Sequence, residues 1–300
     1  MTIVRRGRAP RARTLGLVVA ILATACLSAA GSAFAVEHHP KGDFARFADC
    51  PLSNPATELC LAAVTESGSI TIGAKTVPVT NPLTLQGGLH ELKEEELELI
   101  AAEDGNTLSK SPQPVPGGLL GIVAPESLSP VIRTIFNEFI NKGPTGVTAT
   151  TELAAPASSI RMNLNHLIEG EGTAFVLPVK VKLDNPFLGP SCYVGSNVHP
   201  IDIALTTGTT SPPPPNGPIS GKVGSVSFKD EFQITEITGN SLVDNAFSVP
   251  VAEGCGGLLS ILVDPAVDAE LGLPSAGGHN TAILNGTLRE AVAEAVSASE

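Results

Sequence analysis

The stretch Val179-Lys180-Val181-Lys182-Leu183-Asp184 alternates apolar and charged side chains at every position. An alternation of period two is typical of a β-strand that buries one face and exposes the other. The same alternation recurs at residues 160–165 and 201–205, and less strictly at residues 232–237. Turn-forming Gly, Pro and Asn lie between these segments. The pattern therefore predicts a sheet with one face in a core.

Further segments of this kind predict strands at residues 69–80, 145–153, 219–228, 242–251 and 258–263. No series of long helices alternates with these strands, so a parallel, doubly wound sheet is not expected. We predict a mainly β fold, built as a disulfide-stapled β-sandwich or an irregular β-barrel with one or two amphipathic helices.

Two segments have the apolar spacing of an amphipathic helix. In the first, at residues 128–140, Ser129 sits at the N-cap position, Pro130 lies in the first turn, and Gly143 follows the end. The second is a C-terminal helix at residues 286–299. Both are expected to pack against the sheet. An alternative is that the 128–140 helix covers an apolar cavity.

The N-terminal segment has the three parts of a secretory signal peptide. A basic region comes first, an apolar run covers residues 15–25, and Ala33-Phe34-Ala35 offers a cleavage site before Val36. The apolar run is shorter than the roughly 20 residues that a membrane-spanning helix needs. A lipoprotein site at Cys26 and a twin-arginine route remain alternatives.

These features predict a signal peptide at residues 1–35, a flexible leader at 36–49 and a single mostly β extracellular domain at 50–300. Cleavage would remove five of the 18 basic residues and none of the 30 acidic ones, leaving 13 basic residues and a net charge of −17. That charge repels phosphate backbones and anionic headgroups. We therefore expect no nucleic-acid partner, and no transmembrane segment in the mature chain.

Four cysteines would remain in an exported chain, and an even number there favours disulfides. No Cys-x-x-Cys or Cys/His spacing supports a zinc site. Three pairings of Cys50, Cys60, Cys192 and Cys255 are possible. We favour Cys50–Cys60, which closes a short loop, together with Cys192–Cys255, which joins two distant segments.

Motifs for chemistry are absent from the sequence, which contains no G-x-S-x-G elbow, no H-E-x-x-H, no P-loop and no dinucleotide fingerprint. The six histidines do not have the sequence spacing that is typical of metal ligands. The sequence thus assigns no catalytic residue and no cofactor. One metal hypothesis arises at the cleaved terminus, because Val36-Glu37-His38 would place an amine, two amide nitrogens and the His38 imidazole in a square-planar set suited to Cu(II).

Five segments of the sequence carry a resemblance to known proteins, at residues 179–189, 192–196, 209–216, 240–247 and 254–257. They resemble uncharacterised exported proteins of actinobacteria, with similarity extending from about Asp49 to Thr287. No activity is assigned to that group. The resemblance implies secretion and a Cys192/Cys255 framework, and it implies nothing about mechanism.

We predict a secreted or cell-envelope protein that is not an enzyme and that has a binding or structural role at the cell surface. Two alternatives stay open. One is a carrier of a small apolar ligand held under the 128–140 helix. The other is an unrecognised hydrolase, because the members of a catalytic triad need not be close in sequence.

Overall fold

The alternating stretch at Val179 lies within a ten-residue strand near the middle of a large antiparallel sheet. The computed structural model describes residues 38–93, 95–142 and 144–300, and the predicted signal peptide lies outside them. Fourteen strands occur in the described residues: β1 Leu59–Ile72, β2 Lys75–Pro78, β3 Leu83–Lys93, β4 Glu96–Ala101, β5 Gln113–Pro114, β6 Thr148–Leu153, β7 Arg161–Asn163, β8 Phe175–Asp184, β9 Tyr193–Val194, β10 Ile201–Leu205, β11 Ser225–Lys229, β12 Ile234–Asp244, β13 Ala252–Glu253 and β14 Thr281–Val292.

Short helices connect and flank these strands. The α-helices of the described residues are α1 Pro130–Lys142, α2 Leu164–Glu169, α3 Ser260–Leu271 and α4 Ala293–Ala298, and 3-10 turns cover Gly42–Phe47, Gly118–Leu120, Ala157–Ser159 and Gly257–Leu259. In the part of the chain that the structure describes, no helix is long and apolar enough to cross a membrane. The described residues belong to one compact unit.

The strands pair in the order β11-β12-β14-β1-β3-β4-β7-β8-β6-β5, with β2 paired to β1 and with β10 and β9 paired to β8. This path has two ends, so the sheet is not closed into a barrel. The prediction of a mainly β, disulfide-stapled fold is confirmed. Both disulfides are present, and they are the favoured pairs Cys50–Cys60 and Cys192–Cys255.

The main core lies between two parts of this sheet. Phe175 and Val179 project from the inward face of β8 and join one apolar cluster with Leu61 of β1, Leu85 of β3 and Leu288 of β14. All five are buried. Burial of each such side chain contributes about 1.5–3 kcal/mol relative to exposure. The inward half of the alternating pattern therefore holds the two sheet parts together.

A smaller core lies elsewhere in the molecule and corrects the prediction of a flexible leader. Phe47 is 2 % exposed and packs with Cys50, Cys60, Ile234 and other residues of this cluster. The leader from residue 38 onwards is therefore folded, because its phenylalanine completes an apolar cluster around the first disulfide.

Two predicted elements are wrong. The C-terminal helix at residues 286–299 is strand β14 up to Val292, and helix α4 covers only Ala293–Ala298. The reason is that β1 and β12 hydrogen-bond to β14 on both sides. The strand predicted at residues 258–263 is instead a 3-10 turn followed by the start of α3.

Candidate functional site

A cavity of about 290 Å³ lies at one end of the main core. Its walls come from strands β1, β2, β3, β5, β6, β8 and β9, from the turn at Gly118–Leu120, and from helix α3. Eighteen of its 22 lining residues are apolar side chains or glycine, and the four others are Lys75, Gln113, Thr151 and Glu270. A space of this composition suits an apolar ligand.

Strands β6 and β8 form one wall by the period-two rule. Ala149 and Thr151 alternate along β6, while Val181 and Leu183 alternate along β8. The register pairs Ala149 with Leu183 and Thr151 with Val181, so these side chains lie side by side on one face. The alternating stretch that predicts the sheet therefore also supplies the wall of the cavity.

Helix α3 forms the facing wall with residues at helical spacing. Val263, Ala266, Val267, Glu270 and Leu271 follow the i, i+3, i+4, i+7, i+8 rule, and all five line the cavity. Ala266 and Glu270 are also exposed to solvent. The cavity therefore reaches the surface along this side of α3.

Two aspartates of α3 fix the helix on the rest of the domain. The Asp264 Oδ1 atom accepts a hydrogen bond of 2.7 Å from the Cys255 amide. The Asp268 Oδ1 atom accepts one of 2.7 Å from the Ala252 amide. Cys255 is also joined covalently to Cys192. With a third bond, of 3.3 Å, from the Gly254 amide to the Asp264 Oδ2 atom, the helix is positioned by one disulfide and three side-chain-to-backbone hydrogen bonds.

The solvent-exposed side of α3 and of the turn before it is apolar as well. Leu258, Leu259, Ile261 and Leu262 are all more than 60 % exposed. Helix α3 and the turn before it therefore present apolar side chains both to the cavity and to solvent.

An ion pair lies at the mouth of the cavity. The Lys75 Nζ atom is 2.6 Å from the Glu270 Oε1 atom, and the Lys75 and Glu270 side chains are 18 % and 47 % exposed. Gly121 packs against this pair with a φ of +64°, and a Cβ atom there would lie 2.1 Å from Glu270 Oε1. The left-handed backbone favours glycine here, and a larger residue would displace the Glu270 carboxylate.

The other polar groups of the lining are engaged elsewhere or weakly polar. The Gln113 Oε1 atom accepts hydrogen bonds from the amides of Thr80 and Asn81, at 2.8 and 3.0 Å. Its Nε2 atom donates to the Asn81 carbonyl at 2.8 Å. The charges available to a ligand are therefore those of Lys75 and Glu270, at the mouth.

The predicted helix at residues 128–140 exists as α1, which begins at Pro130 after Ser129. The Arg133 amide donates to the Ser129 carbonyl at 2.9 Å. No described side chain of α1 lines the cavity, whereas α3 does. Of the stretch before α1, Gly118 and Leu119 reach the lining. The alternative in which the 128–140 helix covers an apolar cavity therefore names a helix that does not line this one, and α3 lines it instead.

The predicted metal ligand His38 is held by the C-terminal residue of the sequence. Its Nδ1 atom is 2.5 Å from the Glu300 Oε1 atom. Val36 and Glu37 lie outside the described residues, so the copper site stays a prediction. Within residues 38–93, 95–142 and 144–300, no group of three or more His, Cys, Asp or Glu side chains could hold a metal ion.

The histidines were also the candidates for a hydrolase. Carboxylates approach two more of them, with His90 Nδ1 at 3.5 Å from Glu58 Oε1 and His199 Nδ1 at 3.9 Å from Glu253 Oε1. The His166 Nδ1 atom is 2.9 Å from the Thr173 carbonyl oxygen. Among the hydrogen bonds of the described residues, none joins a serine or threonine hydroxyl to a histidine ring. The unrecognised hydrolase therefore stays an untested alternative.

The sequence carries one signal for the cavity that its interpretation missed. Residues 263–271 have apolar side chains at helical spacing, but Pro265 and the apolar run at 258–263 conceal this spacing.

Comparison of the chain with known protein families, with curated proteins and with solved structures finds no match.

Proposed function

We propose that this chain is a binding protein that carries a small apolar ligand, or the apolar part of a larger one, outside the cytosol. The observation that carries the proposal is the cavity of about 290 Å³ whose polar side chains number four among 22. Ligand sites in proteins commonly have volumes of about 300–1,000 Å³ and mostly apolar walls. The cavity lies at the lower limit of that range.

The energetics favour occupation of such a space. Each methylene group that leaves water for an apolar wall contributes about 0.8 kcal/mol. A ligand with several methylene groups therefore gains enough to offset the loss of its freedom of motion, which costs at least about 4 kcal/mol. The Lys75–Glu270 pair at the mouth offers both a cation and an anion to a polar group that stays in water.

The compartment is part of the proposal. Two disulfides are typical of proteins that fold in an oxidising environment. The signal-like sequence at residues 1–35 points the same way. A protein outside the cytosol that encloses an apolar space can move or store a molecule that water does not dissolve.

The test is a titration with cis-parinaric acid, a fatty acid whose fluorescence increases in apolar surroundings. Ala149 lines the cavity, and replacing it by leucine fills space that the ligand needs. Ala269→Leu makes the same change on α3 at an exposed position outside the lining. We expect saturable binding by wild type and Ala269→Leu, and an affinity about tenfold weaker in Ala149→Leu, equivalent to two displaced methylene groups.

Equal affinity in all three proteins would show that the acid binds elsewhere. An absence of saturable binding in the wild type would contradict the carrier function itself. Thermal unfolding of each variant separates loss of the cavity from loss of the fold. If Ala149→Leu does not fold, Ala266→Leu fills the same cavity from α3.

A further inference from the structure

A second, smaller cavity continues the apolar space deeper into the core. Its volume is about 90 Å³, and it lies between strands β1, β3, β12 and β14 on one side and β6, β8 and β10 on the other. Ile70, Leu83 and Thr151 line both cavities. Side chains of three strands therefore form the wall between the two spaces.

Strand β8 connects the two cavities along one face. Phe175, Leu177 and Val179 line the smaller cavity, and Val181 and Leu183 line the larger one. These five residues alternate along one strand, so their side chains form a continuous row. At about 3.3 Å per residue, the row is about 26 Å long. A ligand lying along it would have to be long and narrow.

The size of the second cavity argues against a compact ligand. For comparison, an engineered apolar cavity of about 150 Å³ binds one benzene molecule. The space beyond Ile70, Leu83 and Thr151 is smaller than that, at about 90 Å³. It suits the end of a hydrocarbon chain. To enter this space, the chain must displace side chains among Ile70, Leu83 and Thr151, which line both cavities.

We infer that the ligand is a long unbranched acyl chain. Its polar end lies at Lys75 and Glu270, and its tail passes between Ile70, Leu83 and Thr151 into the second cavity. This inference rests on the proposed carrier function and specifies the chemical class of the ligand. The inference places the polar end of the acyl chain in the first cavity and its tail in the second. The carrier function and the acyl-chain inference can therefore be tested separately.

The test uses two alanines that line one cavity each. Ala63 of β1 lines the second cavity and Ala149 of β6 lines the first. The affinities of octanoate, decanoate, laurate, myristate and palmitate are measured by displacement of cis-parinaric acid from wild type, Ala63→Leu and Ala149→Leu. The Ala269→Leu protein is the surface control.

We expect the affinity of the wild type to rise with chain length up to palmitate. In Ala63→Leu the short acids should keep their affinity within about twofold, while palmitate loses at least about tenfold. The reason is that each methylene excluded from an apolar space costs about fourfold in affinity. In Ala149→Leu the whole series should weaken together.

A chain-length profile that is the same in Ala63→Leu and wild type would overturn the acyl-chain inference, while a weaker Ala149→Leu would leave the carrier function standing. Failure of every acid to displace the fluorophore from the wild type would instead remove both. If Ala63→Leu does not fold, Thr287→Leu fills the second cavity from β14. Comparing palmitate with monopalmitoylglycerol distinguishes a free fatty acid from the acyl chain of a lipid.

Discussion

Glu290 carries one of the buried carboxyl groups of the described residues. It lies on β14 at 5 % exposure, and its Oε1 atom has no hydrogen-bond partner among the described residues. Burial raises the pKa of the Glu290 carboxyl to about 7 from its ordinary value of 4.5. The folded protein therefore holds this proton more tightly than the unfolded chain does.

The sign of the resulting pH dependence follows from linkage. Below the unfolded pKa of 4.5 the group is protonated in both states and costs nothing. As the pH rises from 4.5 to about 7, the unfolded chain loses the proton first, so the free energy of unfolding falls. Above pH 7 the penalty is constant, on the order of 3 kcal/mol.

The substitution Glu290→Gln removes this titration while keeping the size of the side chain. We expect the variant to be more stable than the wild type at pH 8, by up to about 3 kcal/mol, and close to it at pH 4.5. Urea unfolding at both pH values gives the two differences. A difference in stability that does not change with pH would show that folding does not raise the pKa of the Glu290 carboxyl.

Glu236 gives the opposite case. It lies among the cations of Lys229 at 3.0 Å, Arg289 at 2.5 Å and Arg46 at 3.6 Å. The hydrogen bond from Lys229 is the main cause that lowers the pKa of the Glu236 carboxyl. This group therefore stabilises the fold above its unfolded pKa, and its contribution is lost as the pH falls through the lowered folded value.

At the scale of single residues, the sequence predicted the disulfide pairs but not these carboxyl groups. Pairing follows from four cysteines and their separation in the chain. The environment of Glu290 depends instead on Leu61 and Thr235, its partners on two strands that are far away in sequence. A local sequence pattern does not indicate which distant residues pair with Glu290 across the sheet.

Helix α3 is the element that forms the facing wall of the larger cavity. Its N-terminus has no side-chain cap, but Asp264 in its first turns accepts hydrogen bonds from the amides of Cys255 at 2.7 Å and Gly254 at 3.3 Å in the preceding loop. Pro265 lies inside the helix and lacks an amide hydrogen. The start of α3 is therefore held mainly by the Asp264 carboxylate.

We expect Asp264→Ala to loosen the start of α3 without unfolding the domain. Two backbone donors lose their acceptor, which costs about 1–3 kcal/mol locally. Hydrogen exchange measured by mass spectrometry should show faster exchange at residues 254–264 and unchanged exchange in β1 and β14. The Asp202→Ala protein, altered at an exposed position of β10, is the control. Unchanged exchange at 254–264 would contradict this role.

Prediction failed for two elements where tertiary contacts outweigh local pattern. Residues 258–263 are apolar at nearly every position and were predicted as a strand, but in the structure they begin a helix whose outer side is apolar too. Residues 286–292 have helical spacing at Leu288, Ala291 and Val292, yet they lie in a strand flanked by β1 and β12. Leu288 and Ala291 belong to different cores, on opposite faces of that strand.

Across the whole molecule, the alternation of β8 predicted the mainly β class, and the structure shows that the inward side chains Val181 and Leu183 also line the cavity. The sequence could not predict which helix covers that wall. The folded leader shows the same limit, because Phe47 is buried only through contacts with Cys60, Ile234 and Val296. Local periodicity determines strands, whereas the cavity arises from how distant strands and one helix meet.

We expect an apolar ligand to bind between β6, β8 and α3. The most direct measurement is methyl NMR of the protein labelled at isoleucine, leucine and valine, with and without palmitate. We predict that the methyl signals of Val181, Leu183 and Val263, which line the cavity, shift on binding. The exposed methyl groups of Ile261 and Leu262 serve as the internal comparison. Shifts confined to Ile261 and Leu262, with no change at Val181 or Leu183, would show adsorption to the surface and contradict the account.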